Sequence, residues 1–302
     1  MKKTKDQALV EKFLNQLVKK ITSKHKKDID FIIIYGSAAR GEFIKGVSDI
    51  DLLIQVLSDK KTEHVKKYAT AAFWDLNKKY KMNFEKSCSK SKSKTLLVRI
   101  LRRIEEEAQL YTPLFVFGPN DLDWKNCRVK KKGLKFGANI IFPQASVFIN
   151  FKNEGKILYG RDIRKVINPK MNLWEKFKVI TVPAYLAALG ILTAAFVPDK
   201  ATGYCNKAIL YEVNAALMYL DKLKKGTLKQ REKQLKKLIE FHLDIKYNLM
   251  NPKYFDIIEE ALEHKRNGFK GGRLTAVSYA IRCFRFIALM NITVTLRRIF
   301  EA

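Results

Sequence analysis

Phe31-Ile32-Ile33-Ile34-Tyr35-Gly36-Ser37-Ala38-Ala39-Arg40-Gly41, followed by Ser48-Asp49-Ile50-Asp51-Leu52-Leu53-Ile54, is the stretch that decides how this chain folds. Phe31 to Tyr35 is continuously apolar, rich in β-branched residues and ends at glycine, the pattern of a buried strand. Leu52 to Ile54 repeats that pattern after two carboxylates at i, i+2. Side chains alternate across a strand, so Asp49 and Asp51 are expected on one face of a single strand with Ile50 packed on the other. A glycine-serine turn at a strand end, facing two carboxylates, outlines a site for a triphosphate and a metal. Gly36 would let backbone approach a phosphate, the Ser37 hydroxyl can donate to it, and Arg40 can add a charge-assisted contact. Ser48 is placed to turn or cap the backbone ahead of the acidic pair. Two carboxylates suit magnesium, which completes its shell with phosphate oxygens and water.

With those residues in view, GSAARGEFIKGVSDIDLLI resembles the signature of the DNA polymerase beta superfamily of nucleotidyltransferases, with the minimal and the aminoglycoside nucleotidyltransferases most similar. The resemblance implies an α/β (α+β) core with a mixed sheet, two Mg2+ ions, a nucleoside triphosphate such as ATP as donor, and release of pyrophosphate. Catalytic and metal-holding roles fall on Asp49 and Asp51, and nucleotide contacts on Gly36, Ser37, Arg40 and Ser48. It also implies a third carboxylate on a neighbouring strand. Val65, Tyr68, Ala69, Ala72, Phe73, Leu76 and Tyr80 recur at three and four, as in a crossover helix. That helix leads to Lys81-Met82-Asn83-Phe84-Glu85, whose alternation reads as a half-buried strand. Glu85 is therefore the candidate third carboxylate, a general base or metal ligand; the family more often has aspartate there. Asp121 and Asp123, after the strand-like Leu114 to Phe117, are the fallback, and Asp75 on the crossover helix is a poorer choice.

Outward from this core, residues 6–22 carry helical spacing. Lys86 to Lys94 reads as a basic loop, Leu96 to Leu110 as a helix, and Leu114 to Phe117, Gly137 to Phe142 and Val147 to Phe151 as extended segments. A turn at Asn153 to Lys156 precedes Ile157-Leu158-Tyr159-Gly160, and the catalytic domain is expected to span residues 1–169. Residues 170–302 are helical almost throughout: 179–197, 204–223, 229–247, 252–266 and 275–300 give an all-α bundle.

Length and composition set the outer limits. At 302 residues, 47% of them hydrophobic, the chain can bury two cores. Its net charge of +29 draws polyanions, so RNA is a possible acceptor or partner, although lysines are spread throughout rather than gathered in one tract. An alternative is a basic RNA-binding protein whose transferase fold turns over poorly; another is a protein-adenylylating, antitoxin-like enzyme. The nearly uncharged run 179–197 has the length of a membrane span, but Pro183, Gly190 and its alanines and threonines favour a bundle-core helix. Cys88, Cys127, Cys205 and Cys283 form no C-x-x-C pair, which fits reduced thiols in a cytoplasmic protein. The basic N-terminus leads into an amphipathic pattern with no secretory core.

Overall fold

The computed structural model describes residues 4–45, 48–84, 114–131, 143–243 and 252–301. They form two compact units that divide between Met171 and Asn172.

The first unit opens with α1 (Lys5–His25), whose first turn is capped where Thr4 Oγ1 accepts the Gln7 amide at 3.1 Å. Val10, Phe13, Leu14, Leu17 and Ile21 follow the helical repeat and are all buried, each contributing roughly 1.5–3 kcal/mol by leaving water. Then come β1 (Ile29–Tyr35), the short α2 (Gly36–Arg40), β2 (Asp51–Val56), α3 (Thr62–Tyr80), β3 (Leu114–Phe117), the two-residue strands β4 (Leu122–Asp123) and β5 (Arg128–Val129), α4 (Gln144–Glu154) and β6 (Lys156–Gly160). The main sheet runs β3-β2-β1-β6. β1 is antiparallel to β2 and β6, while β2 and β3 are parallel, so the sheet is mixed as expected.

Alternation along the strands sorts the unit into layers. Ile32, Ile34, Leu52 and Ile54 join the core that includes α1 and α3. Phe31, Ile33 and Leu53 point the other way, into a second core with Trp124, Phe148 and Phe151. Gln55, buried on that second face, accepts the Trp124 Nε1–H at 3.2 Å, so its polar group is matched.

Three sequence expectations change here. Val147 to Phe151 is helical and belongs to α4: Ala145, Phe148 and Phe151, spaced by three, are buried together, and this packing outweighs the β-branched preference of Val147 and Ile149. Met82 to Phe84 is irregular and not a strand, because the Asn77 side chain takes over the role of a sheet partner. It accepts the Phe84 amide and donates to the Phe84 carbonyl, both at 3.1 Å, while the Phe84 ring packs against Phe13, Phe43 and Phe73. The strand beside β2 is instead Leu114–Phe117. Glu85, the basic loop 86–94, the helix expected at 96–110 and the extended segment at 137–142 lie outside the described residues.

The second unit is helical: α5 (Leu173–Ala194), α6 (Pro198–Tyr219), α7 (Leu228–Leu243), α8 (Asp256–Asn267) and α9 (Arg273–Glu301). Asn172 caps α5 by accepting the Glu175 amide at 2.8 Å. α6 lies at the centre, with Ala201, Cys205, Ala208, Ile209, Val213, Ala216 and Leu217 buried, and packs against the other four. Gly190 on α5 is what lets that helix approach α6, since a Cβ there would come within 2.5 Å of Cys205 Sγ. Helices α5 and α9 are long and apolar enough to cross a membrane by length and composition; in this fold Val179, Ala187, Gly190 and Ala194 of α5 are buried in the bundle.

Candidate active site

The β1–β2 ladder ends at the pair Tyr35↔Asp51. Beyond Tyr35 the chain leaves the sheet at Gly36, whose φ of +71° lies in the left-handed region that glycine adopts at little cost. The glycine-serine turn is therefore the first turn of α2. β1 has turned away here, so among the described residues no partner strand extends past Asp51, and this corrects the expectation of one strand carrying both acids. β2 begins at Asp51, while Asp49, itself exposed between buried Ser48 and Ile50, precedes it in an irregular segment. Ile50 between them is buried in the core with α1 and α3, as the alternation required.

The structure brings Gly36 and Asp51 together. A Cβ added to Gly36 would overlap Asp51 Oδ2 and lie 3.2 Å from its Cγ, so the carboxylate rests against bare backbone. Tyr35 shares the strand face with Asp51, and its ring meets Phe151 edge-on at 4.6 Å between centroids. Burial, and then the Asp51 charge, push the Tyr35 phenol well above its ordinary value, so the residue stays a neutral hydroxyl beside the acid. Ser37 is half-buried on α2, and its carbonyl accepts the Glu42 amide at 2.9 Å.

Ser48 turns the backbone. Its hydroxyl accepts the Ile44 amide at 3.1 Å and its own amide donates to the Ile44 carbonyl at 2.8 Å, which fixes the approach to Asp49. The Arg40 guanidinium is ion-paired, with Nε 2.6 Å from Glu42 Oε2 and Nη1 2.7 Å from Glu154 Oε2.

Asp121 and Asp123, the fallback acids, hold up their own hairpin. Asp121 Oδ2 accepts the Gly118 amide at 2.9 Å. Asp123 accepts from the Asn126 side chain and amide and pairs with Lys130, and these contacts, the Asn126 side chain foremost, lower its pKa to about 2.

The acids present suit a hard cation. Asp51 is rooted in the sheet and Asp49, two residues earlier, is open to solvent, leaving most of a coordination shell to phosphate and water. Among the described residues no group of three or more His, Cys, Asp or Glu could hold a metal, and Glu85 lies outside them. Two residues next to the site escaped sequence reasoning. Tyr35 reads only as a strand end, and Glu154 lies 114 residues from its partner Arg40. The signal for Glu154 was the spacing of three from Phe148 to Phe151 to Glu154, which marks one helix face.

Residues 14–111 match a family model described as a nucleotidyltransferase domain. No curated protein matches the chain. Among solved structures, spectinomycin adenyltransferase AAD(9) from Enterococcus faecialis, determined with ATP and spectinomycin, shares the fold at a TM-score of 0.50 and 13% identity; the match covers 93% of this chain and 99% of that one. The domain match, the mixed sheet and the glycine turn against Asp51 agree: residues 14–111 carry a nucleotidyltransferase domain, and the chain has a nucleotidyltransferase-like fold.

Proposed function

We propose that the chain transfers a nucleoside monophosphate from a nucleoside triphosphate, ATP first among them, to a hydroxyl acceptor, releasing pyrophosphate, with magnesium at Asp49 and Asp51. The observation that carries this reading is the contact between Gly36 and Asp51: a side-chain-free turn and a carboxylate fixed against each other at the end of a buried sheet.

Each residue has a physical part. Gly36 opens the start of α2, where unpaired backbone amides can receive phosphate oxygens, and the Ser37 hydroxyl adds a donor. Tyr35 stays protonated, so the site gains no second negative charge from it. Ser48 fixes the backbone that presents Asp49. Magnesium, when bound, would offset the triphosphate charge and polarise the reacting oxygens. The fixed dipoles and carboxylates then need little reorganisation during transfer.

ATP as donor accords with the ATP present in the adenyltransferase of similar fold, and the acceptor is proposed only as a hydroxyl. RNA belongs in the acceptor panel because a net charge of +29 favours polyanions. The buried free thiols Cys127, Cys205 and Cys283 fit a reducing, cytoplasmic setting.

Isothermal titration with each nucleoside triphosphate plus magnesium, followed by mass analysis of RNA, protein and small-molecule acceptors, tests the proposal. ATP binding and an acceptor heavier by one nucleoside monophosphate are expected. Absence of binding by every triphosphate would overturn it.

A further inference from the structure

Helix α2 has only five residues and cannot hold its own position, since isolated helices that short do not persist in water. Its placement must come from neighbours, and helix α4 supplies them at both ends. Just ahead of Gly36, the Tyr35 ring packs edge-on against Phe151. At the far end, Arg40 Nη1 meets Glu154 Oε2 at 2.7 Å. Phe151 and Glu154 are three apart on α4 and so share a face. Both are buried, and the Glu154 side chain is only 3% exposed. Glu42 holds the Arg40 Nε from the other side, and Gln7 on α1 adds a weaker tether, its Nε2 donating to the Ala38 carbonyl at 3.4 Å.

We infer that Glu154 is a positioning residue: by gripping Arg40 while Phe151 grips Tyr35, it clamps the Gly36–Arg40 turn so that Gly36 and Ser37 stay beside Asp51. This deepens the nucleotidyl-transfer reading of the site and rests on it. It also assigns Arg40 differently from a phosphate ligand. A guanidinium whose Nε and Nη1 are already engaged by two carboxylates has less left to offer a triphosphate. Arg40 acts through Glu154 to hold the turn in place.

A buried pair also predicts how variants behave. Removing one partner of a buried pair weakens the compensation of the other's charge, whereas replacing both with apolar groups of similar size often preserves the fold. Glu154→Gln and the double variant Arg40→Met/Glu154→Met therefore separate loss of the clamp from loss of folding.

Two readouts on the full chain test the inference. Amide hydrogen exchange over residues 36–41, measured without nucleotide, should quicken by about ten-fold in both variants while exchange in β1 stays at the parent's rate. In pyrophosphate release with ATP, magnesium and the hydroxyl acceptor identified by mass analysis, the KM for ATP should rise about ten-fold with kcat changed far less, because the clamp serves binding of ground and transition states alike. Should Glu154→Gln fail to fold, the double variant provides the comparison. Parental exchange over 36–41 in a folded variant overturns the inference, as does faster exchange with an unchanged KM. If the parent chain itself binds no triphosphate, the transferase reading falls, and the exchange measurement still decides whether the clamp exists.

Discussion

Gly36 and Asp51 occupy the same few ångströms: the left-handed turn at Gly36 places its Cα where any β-carbon would run into the Asp51 carboxylate. Backbone conformation and acid position are thus one feature.

Gly36→Ala should therefore damage both at once. The positive φ strains an alanine by about 1–3 kcal/mol, and the new methyl displaces Asp51. Thermal melts should show a lowered Tm with the fold retained, and nucleotide binding by titration should fall by more than that loss of stability explains. A variant with the parent's Tm and affinity would show that the close approach is unimportant.

Ser48→Ala removes the acceptor of the Ile44 amide and loosens the backbone that presents Asp49. The stability loss should be about 1 kcal/mol by denaturant melts. Magnesium-dependent nucleotide affinity should drop with it, while affinity measured without magnesium stays the same.

In the helical unit, Glu212 is completely buried, and among the described residues neither carboxyl oxygen has a hydrogen-bond partner. Burial holds its pKa well above the ordinary carboxylate range. The folded chain keeps a proton that the unfolded chain releases above about pH 4.3. Its contribution is therefore fully present below that pH and is lost as pH rises toward the folded value. Glu212→Gln, which is always neutral, should flatten this decline, so that melts from pH 5 to 8 show the variant gaining on the parent as pH increases. Parallel pH profiles would contradict the assignment.

How much of this was legible in the sequence differs from residue to residue. β1 and most of β2 could be read because Phe31–Tyr35 and Leu52–Ile54 are buried on both faces and so are apolar without interruption. The pairing of Gly36 with Asp51 followed from the motif's spacing. The placement of Asp49 did not, because a strand needs a partner, and the turn at Gly36 withdraws β1 one residue beyond Tyr35. Residues 147–151 of helix α4 carry an extended-looking pattern because Val147, Ile149 and Phe151 alternate locally, while the packing that sets their helical conformation comes from Trp124 and β1. The Arg40–Glu154 contact joins residues too far apart in the chain for any local pattern to reveal it.

The central claim is that Asp51 serves the chemistry of phosphoryl transfer. Pyrophosphate release from ATP and magnesium in the presence of the hydroxyl acceptor identified by mass analysis, measured for the parent and for Asp51→Asn with matched melting curves, tests it most directly. The account predicts release by the parent and its loss in the variant; undiminished release by a folded Asp51→Asn protein would contradict it.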